Sequence, residues 1–260
     1  MKEKLSQEPN KQAQESLSRR DEVAKKYNID FEKLEQEQIK IAKELEIKDK
    51  IDFSLAEKFG AFDNIFVNNK LLICLIVCNK DFEIIDRAYV FEKAKFPYVP
   101  GFRNYRELEP MIKAFEKINE SPDVVFVPAQ GIIHPRLGLA SHFSLAVRIP
   151  AIGVSNSIIE CEYETKDNAD IIRNGKQLGK VLISKQNSKP LFISPGNYIT
   201  IKTSYKFSKD FVISPHKNPE PLHLASKYAR EVRKELEFNK STINSELPKK
   251  SPITKLQTNL

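Results

Sequence analysis

The segment that decides the fold is VFVPAQGIIHPRLGLASHF, residues 125–143. Its apolar start, which belongs to the run Val124–Val127, is typical of a buried strand. A turn containing Gly131, a His-Pro-Arg tripeptide and a small-residue helix start follow it. Strands that lead directly into helices are typical of α/β proteins, whose chemistry lies where the strands end. A carboxylate is therefore expected at the end of this strand, but the sequence has Pro128 there.

The flanking segments extend this pattern into a mixed α/β sheet. Three strands come first, FDNIFV, KLLICLIVC and EIIDRAYVFEK, with Asn68-Asn69 as the hairpin turn between the first two. The next segments alternate helix and strand: NYRELEPMIKAFEKI, DVVFV, PRLGLASHFSLAVRI and PAIGVS. KVLIS and PLFISPGNYITI form a later hairpin, and Pro219 and Pro221 favour a last helix starting at Glu220. Three antiparallel strands followed by this alternation predict one α/β sheet with helices on both faces.

The two ends of the chain differ in composition from its middle. Residues 1–28 are polar and charged, and we expect them to be disordered or a frayed helix. The segment FEKLEQEQIKIAKEL predicts an amphipathic helix. Its apolar positions are Phe31, Leu34, Ile39, Ile41 and Leu45. Residues 239–260, rich in Ser, Thr, Pro and Lys, predict a disordered basic tail. No linker interrupts residues 29–238, so they are predicted to form one domain.

Composition restricts the class of protein. The 260 residues are 40% hydrophobic and 9% aromatic, which suits a globular chain with a real core. The 42 basic and 35 acidic residues give a net charge of +7, which is compatible with nucleic acid but also with a solvated lysine-rich face. The three cysteines, Cys74, Cys78 and Cys161, form no CxxC and argue against a disulfide framework or a zinc site. With no signal peptide and no bilayer-spanning apolar run, we expect a monomer in the cytoplasm, or in the nucleus of a eukaryote, without membrane association.

Five motifs in this chain resemble the signatures of the endonuclease V family. KFPYVPGFRNYRELEP resembles FPYIPG followed closely by FRE, and QGIIHPRLGLASH resembles DGxGxxHPRxxGLASH. PAIGVSNS resembles PTIGVAKS, PLFISPGNYIT resembles PLYVSPGHxIS, and NPEPLHLA resembles LPEPTRLA. Each motif alone is weak evidence, but the five occur in family order and spacing over residues 31–238, which indicates common descent.

This resemblance implies both a fold and a reaction. The fold is RNase H-like, with a three-stranded antiparallel start that meets parallel strands and helices. The reaction is a DNA-repair nuclease reaction on DNA or RNA containing a deaminated purine, chiefly inosine. It hydrolyses the second phosphodiester 3′ of that base with Mg²⁺ or Mn²⁺, and carboxylates hold the ion that activates water.

Matched residue by residue, the resemblance assigns three catalytic positions. Asp63 in GAFDNIF matches the first family carboxylate, Glu107 matches the Glu of FRE, and His134 matches the His of HPR. Asp63 and Glu107 are the predicted metal ligands. Taken without the motifs, Glu107 would be read as a carboxylate favouring a helix start, and His134 as a core or capping histidine.

Other positions depart from the family pattern. Pro128 replaces the Asp of DGxG and Ala129 its Gly, Asn156 replaces the Lys of GVAKS, Asn197 replaces the His of SPGH, and Ser226 follows the RLA position. Mg²⁺ requires hard oxygen ligands in near-octahedral geometry. We therefore expect weak metal binding and weakened or lost cleavage. A catalytically inactive nucleic-acid-binding protein and a repurposed interaction protein remain the alternatives.

The motifs for nucleic-acid recognition are nearly unchanged. The loop Pro97-Tyr98-Val99-Pro100 matches the family's strand-separating wedge: its prolines stiffen the loop, and its ring can replace a lost base stack worth ~1–3 kcal/mol. The family's pocket for the flipped base is lined by backbone and small residues. The matching positions here are Gly131, Gly138, Leu139 and Ala140. The basic residues expected to contact phosphates are Lys93, Lys95, Arg103 and Arg106.

Two further histidines stand near the start of the last helix. His216 and His223 flank its Pro-rich turn. No carboxylate or cysteine is recognised at ligand spacing from them, so they are not predicted to bind a metal.

Overall fold

The computed structural model of the protein describes residues 20–67, 69–185 and 187–246. Most of the polar extension predicted for residues 1–28, and the tail beyond residue 246, lie outside the described residues; residues 20–27 are helical. The last helix continues to Glu246, eight residues past the predicted domain boundary at 238.

Within the described ranges, eight strands form one mixed sheet in the order β3-β2-β1-β4-β5-β8-β7-β6. Their bounds are β1 Phe59–Val67, β2 Lys70–Cys78, β3 Ile84–Glu92, β4 Val124–Val127, β5 Ala151–Ser155, β6 Asp170–Arg173, β7 Lys176–Leu182 and β8 Leu191–Asn197. Strands β1 to β3 are antiparallel, β1, β4 and β5 are parallel, and β8, β7 and β6 continue antiparallel. The predicted antiparallel start followed by parallel strands is confirmed, whereas β6 was not predicted.

Besides the helical residues 20–27, the described part of the chain contains five helices. They are α1 Phe31–Ala42, α2 Arg103–Phe115, α3 Leu139–Val147, α4 Ile201–Asp210 and α5 Glu220–Glu246, and a 3₁₀ turn spans Phe53–Leu55. One apolar core lies between the sheet and α4 and α5, and a second lies between the opposite face and α2 and α3. The predicted helices on both faces are therefore confirmed. Helix α4 was not predicted, because its segment follows β8 without an obvious break in pattern.

The hairpin between β1 and β2 fixes the orientation of the first strands. Val67 pairs with Lys70, so two residues connect the strands. Asn69 has a φ of +64°, a left-handed conformation that asparagine tolerates and that such turns require. Asn68 lies outside the described residues.

The amphipathic pattern of α1 is partly wrong. Ile39 is 50% exposed, while the neighbouring Gln38 is fully buried. The Gln38 side chain donates to the Gly101 carbonyl and accepts from Nε of Arg136, so its polar atoms are satisfied inside the protein. Helix α1 thus faces the rest of the fold through a hydrogen-bonding amide as well as through Phe31.

The parallel pairing of β1 with β4 places two of the family-matched positions side by side. Ala61 pairs with Phe126, so Asp63 and Pro128 lie at the same level two residues farther on. Successive strand residues point to opposite faces of a sheet. Asp63 therefore faces α5, whereas Asn64 faces α2.

Among the described residues, no helix has the length and the apolar character that crossing a membrane requires.

Candidate functional site

Asp63 lies on β1, under the first turns of α5. Its carboxyl group accepts hydrogen bonds from the Ser226 hydroxyl and from the backbone N–H of Asn64, and Arg230 adds a positive charge nearby. Burial raises the pKa of Asp63 by more than these three contacts lower it, so the pKa remains above its usual value. The structure therefore places Asp63 and Ser226, two matched family positions, in direct contact.

Glu107 lies on α2 and is only 5% exposed. Arg103, one turn earlier, forms a two-pronged ion pair with it, at 2.9 Å from Nε to Oε1 and 2.6 Å from Nη2 to Oε2. Nδ2 of Asn64 donates to the same Oε2 at 2.9 Å. Paired contacts of this kind are among the strongest hydrogen bonds in proteins. Both carboxylate oxygens of Glu107 are therefore engaged by protein donors.

The guanidinium of Arg103 also reaches the end of β4. Its Nη1 lies 3.4 Å from the carbonyl oxygen of Pro128. Burial lowers the pKa of Arg103, but the hydrogen bonds and charge of Glu107 raise it more, so Arg103 stays charged. A fixed positive charge thus lies between Glu107 and the position where the family pattern has a carboxylate. Arg103 was predicted to contact phosphate, and the structure instead pairs it with Glu107.

A lysine from another loop reaches the position of the missing family lysine. Nζ of Lys217 donates to Oδ1 of Asn156 at 3.0 Å. Burial, and then the charge of Lys189, lower the pKa of Lys217. Sequence reasoning missed this contact because 61 residues separate the two positions. No motif spacing could have indicated it.

Asn197, at the family's histidine position, has a structural contact. It is fully buried, and its Oδ1 accepts from the backbone N–H of Glu46 at 2.6 Å. This bond ties the end of β8 to the segment after α1.

A pocket of about 200 Å³ opens between the Pro-Tyr-Val-Pro loop, the start of α2 and the turn after β4. Its lining includes Tyr98, Pro100, Gly101, Arg103, Asn104, Ala129, Gln130, His134, Leu139, Ser155, Ser157 and Ile159. The pocket joins residues from three of the five motifs. Its walls mix apolar side chains with hydroxyl, amide and imidazole groups, which is typical of a small-ligand site.

The loop that carries Tyr98 is anchored by the residues that follow Tyr98. Val99 is buried in a cluster with Phe31 and Phe102, and the Phe102 amide donates back to the Val99 carbonyl. Tyr98 itself is 65% exposed. The guanidinium of Arg106 lies 5.7 Å from the centre of its ring. The structure thus presents one aromatic side chain from a fixed loop at the edge of the pocket.

Four residues were predicted to line the pocket for the flipped base. Leu139 lines the pocket described above, whereas Gly131, Gly138 and Ala140 do not. A Cβ at Gly131 would lie 2.1 Å from the Pro195 carbonyl oxygen, and one at Gly138 would lie 2.1 Å from that of Gln130. Both glycines therefore permit close backbone packing behind the pocket wall. Ala140 is buried in the same region and donates its amide to Gln130.

His134 is neutral in the folded protein. Burial lowers its pKa to about 4, with the charges of Arg136 and Arg173 acting in the same direction. Its Nδ1 accepts from the Arg136 amide at 3.1 Å, which assigns the ring proton to Nε2. His134 therefore offers the pocket an N–H donor that carries no charge.

This environment predicts a pH-dependent stability. The pKa of His134 is about 4 in the folded protein, against the ordinary histidine value of 6.5 in the unfolded chain, so the unfolded chain takes up the proton first. The stability present above pH 6.5 should therefore fall as the pH drops from 6.5 towards 4. His134→Asn, which keeps an acceptor for Arg136, should remove about 1–2 kcal/mol of that loss. Urea unfolding at a series of pH values measures this loss of stability in both proteins. If His134→Asn leaves the dependence of stability on pH unchanged, a neutral, buried His134 is contradicted.

Of the three remaining predicted cations, Lys93 is exposed, and the other two have different surroundings. Lys95 pairs with Glu109 at 2.6 Å but stays largely exposed. Arg106 stacks over Phe66 at 4.1 Å from the ring centre. Lys95 therefore remains accessible to solvent, whereas Arg106 supports the aromatic side chains beside the pocket.

At the start of α5, the structure brings a carboxylate to the two histidines that the sequence left unassigned. Nδ1 of His216 lies 2.6 Å from Oε2 of Glu220, and the His216 and His223 rings stack at 3.5 Å. The statement that no carboxylate stands at ligand spacing is therefore wrong. The spacing His-x₃-Glu-x₂-His was the available signal, and the two prolines around Glu220 concealed its helical part.

Comparison with known proteins finds relatives for most of the chain. The family model described as Endonuclease V matches residues 39–227. Endonuclease V of Thermosipho melanesiensis is 35% identical over 201 residues, which cover 75% of this chain and 84% of that protein. Endonuclease V of Archaeoglobus fulgidus is 30% identical over 212 residues, covering 80% and 96%.

Solved structures agree in fold. The Bacillus subtilis Endonuclease V structure superposes with a TM-score of 0.73 at 24% identity, covering 81% of this chain and 95% of that one. Endonuclease V of Ciona intestinalis, in complex with a 24mer DNA containing an inosine followed by a ribo-adenosine, gives 0.70 at 22% identity, covering 79% and 98%. The predicted RNase H-like fold is confirmed. This chain belongs to the endonuclease V family.

Proposed function

We propose that this protein binds DNA or RNA containing inosine, and that its phosphodiester cleavage is weakened or absent. The observation that carries the proposal is the exposed Tyr98, held by a fixed loop at the edge of a pocket of about 200 Å³. We propose that the protein acts as a monomer. The DNA-bound Ciona intestinalis relative supports inosine as the partner base.

The size and chemistry of the pocket suit one displaced base. Pockets for drug-sized ligands are usually about 300–1,000 Å³, so a smaller pocket suits a single nucleobase. Enzymes that act on a base take it out of the stack and read its edge with hydrogen bonds. The Nε2–H of His134 can donate to an acceptor on such a base. Tyr98 can fill the place that the base leaves.

The residues present fit a divalent cation poorly. The endonuclease V family consists in general of metal-dependent nucleases. A cation shared by Asp63 and Glu107 would need both carboxylates free and directed to one point. Glu107 is instead neutralised by Arg103 and lies on α2, whereas Asp63 faces α5 on the opposite face of the sheet. Pro128 adds only a carbonyl oxygen, so we propose that Mg²⁺ or Mn²⁺ binds weakly at these residues.

The Arg103–Glu107 ion pair favours the second candidate, a nucleic-acid-binding protein without nuclease activity. A guanidinium supplies a positive charge near the strand end without needing a metal. It cannot activate water as a metal ion does. In this candidate the fold keeps its binding surface and has exchanged a catalytic ion for an internal cation.

Tyr98→Ala is expected to weaken binding to inosine-containing nucleic acid by ~1–3 kcal/mol, the worth of a base–aromatic stack. The loss should be smaller on the same sequence with adenine, because undamaged duplex keeps its bases stacked and phosphate contacts dominate. Fluorescence anisotropy with both oligonucleotides measures the difference. Tyr98→Phe, which keeps the ring, and Tyr89→Ala, at an exposed tyrosine on β3, should bind like the unaltered protein.

Salt dependence separates base recognition from phosphate attraction. Lys95→Ala should weaken binding to both oligonucleotides alike and reduce the slope of affinity against salt concentration, because a phosphate contact releases counterions. If inosine and adenine bind equally and Tyr98→Ala changes neither, the protein is a repurposed RNase H-like module.

A further inference from the structure

A second cluster of chemically active side chains lies at the start of α5, outside the pocket. His216 stands in the turn before the helix, Glu220 is its first residue, and His223 follows three residues later. One ligand atom from each of the three lies within 4.8 Å of the other two. Among the described residues, this is the group of histidine and carboxylate side chains with metal-ligand spacing.

We infer that His216, Glu220 and His223 form a binding site for a first-row transition-metal ion of the Zn²⁺ type. Two imidazoles and one carboxylate are the protein ligands of many open zinc sites, in which a fourth position stays free for water or substrate. Imidazole nitrogen selects such ions over Mg²⁺, which prefers oxygen donors. The site is thus chemically different from the family's carboxylate site and uses none of its residues.

The distances require little movement for an ion to enter. Bonds of about 2.0–2.1 Å in tetrahedral geometry place neighbouring ligand atoms about 3.3 Å apart. The His216 Nδ1 to Glu220 Oε2 distance of 2.6 Å must open by less than an ångström, and the remaining pairs start within 4.8 Å. The proton that now lies between His216 and Glu220 leaves when the ion binds. The stacked rings of His216 and His223 must also tilt apart, because an imidazole nitrogen binds an ion in the plane of its ring.

Burial supplies a reason for a cation at this place. Glu220 is only 8% exposed, and its carboxylate contacts His216. A buried carboxylate is stabilised by hydrogen-bond donors or by a cation, and the side-chain partner of Glu220 here is His216. His216 and His223 are each partly exposed, so an ion could enter from solvent. Lys217, the cation next in sequence, turns its ammonium away to Asn156.

The location places this ion near the family site. Ser226 follows His223 by three residues on α5 and contacts Asp63. One helical turn advances about 5.4 Å, so the ion would lie roughly that far along the helix from Ser226. The carboxyl ends of the parallel strands would then carry a metal held by α5 in place of one held at position 128.

The decisive experiment titrates Zn²⁺ by calorimetry and Co²⁺ by its visible absorption, with the full-length protein. We expect one ion per chain and tetrahedral Co²⁺ bands in the unaltered protein. His223→Asn and Glu220→Gln should each weaken binding by at least about tenfold, because each removes one of three ligands. Glu235→Gln, at an exposed glutamate on the same helix, is the matched control and should bind normally.

Folding and function are checked on the same variants. Thermal unfolding should show that Zn²⁺ raises the melting temperature of the unaltered protein but not of the double variant His216→Asn/His223→Asn. Full Zn²⁺ affinity in that double variant would overturn the inference, as would loss of binding in Asp63→Ala alone. Anisotropy with the inosine oligonucleotide is measured separately, so a failed zinc site leaves the proposed recognition of inosine untouched.

Discussion

The double variant Pro128→Asp/Ala129→Gly is expected to bind Mg²⁺ at least about tenfold more tightly than the unaltered protein. The register of β1 and β4 puts position 128 at the level of Asp63, so the new carboxylate would stand beside an existing one. Two adjacent carboxylates provide the charge and the hard oxygen atoms that the ion requires. Glycine at 129 lets the tight turn after β4 relax around the new side chain. Isothermal calorimetry measures the change.

An uncharged control variant shows whether the charge or the shape of the new side chain causes the gain in Mg²⁺ affinity. Pro128→Asn/Ala129→Gly introduces a side chain of similar shape with only an amide oxygen, and it should gain much less affinity. Micromolar Mg²⁺ binding by the unaltered protein would contradict the account. Equal affinities of the Asp and Asn variants would show that a carboxylate at position 128 is not the missing element.

Arg103→Met is expected to lower the free energy of unfolding by about 2–3 kcal/mol. Removing one partner of a buried ion pair typically costs ~3–5 kcal/mol, because the other charge stays buried without compensation. The Arg103 side chain is 36% exposed, so solvent screening reduces the expected loss. Glu107 would keep the Asn64 amide as its hydrogen-bond donor. Urea unfolding monitored by circular dichroism measures the loss.

Two further variants distinguish the ion pair from simple loss of an arginine. Arg106→Met removes a neighbouring arginine of the same helix and should cost less, because Arg106 stacks on an aromatic ring instead of neutralising a buried carboxylate. Arg103→Met/Glu107→Gln removes both charges and should recover much of the stability. A loss below about 0.5 kcal/mol in Arg103→Met would show that the pair contributes no more than a surface salt bridge.

The fold was largely predictable from local patterns. The apolar runs of β1, β2 and β4 and the two-residue turn before Lys70 follow from side-chain periodicity and turn chemistry alone. Strand β6 is four residues long with a single buried position, so its pattern is too short to recognise. The predicted buried face of α1 was partly wrong because it left out Gln38, and a buried amide can be identified only when its hydrogen-bond partners are known.

The candidate site could be proposed from motifs, but its contacts could not. Asp63, Glu107 and His134 remain predictions from the motifs, and the structure adds that Asp63 faces α5 while Glu107 lies on α2. The pairing of Arg103 with Glu107 follows helical i,i+4 spacing and was visible in the sequence. The contact of Lys217 with Asn156 was not visible in the sequence, because it depends on how two distant loops meet. Tertiary contacts of this kind have no periodic signal.

The central claim is that recognition of inosine persists while cleavage is weakened or lost. The most direct test is one experiment on a labelled oligonucleotide with a single inosine, with the adenine sequence as its control. A native gel reads binding, and a denaturing gel of the same samples with Mg²⁺ or Mn²⁺ reads cleavage. We predict a shift that favours inosine and little or no product. Robust multiple-turnover cleavage that Asp63→Ala abolishes would contradict the account.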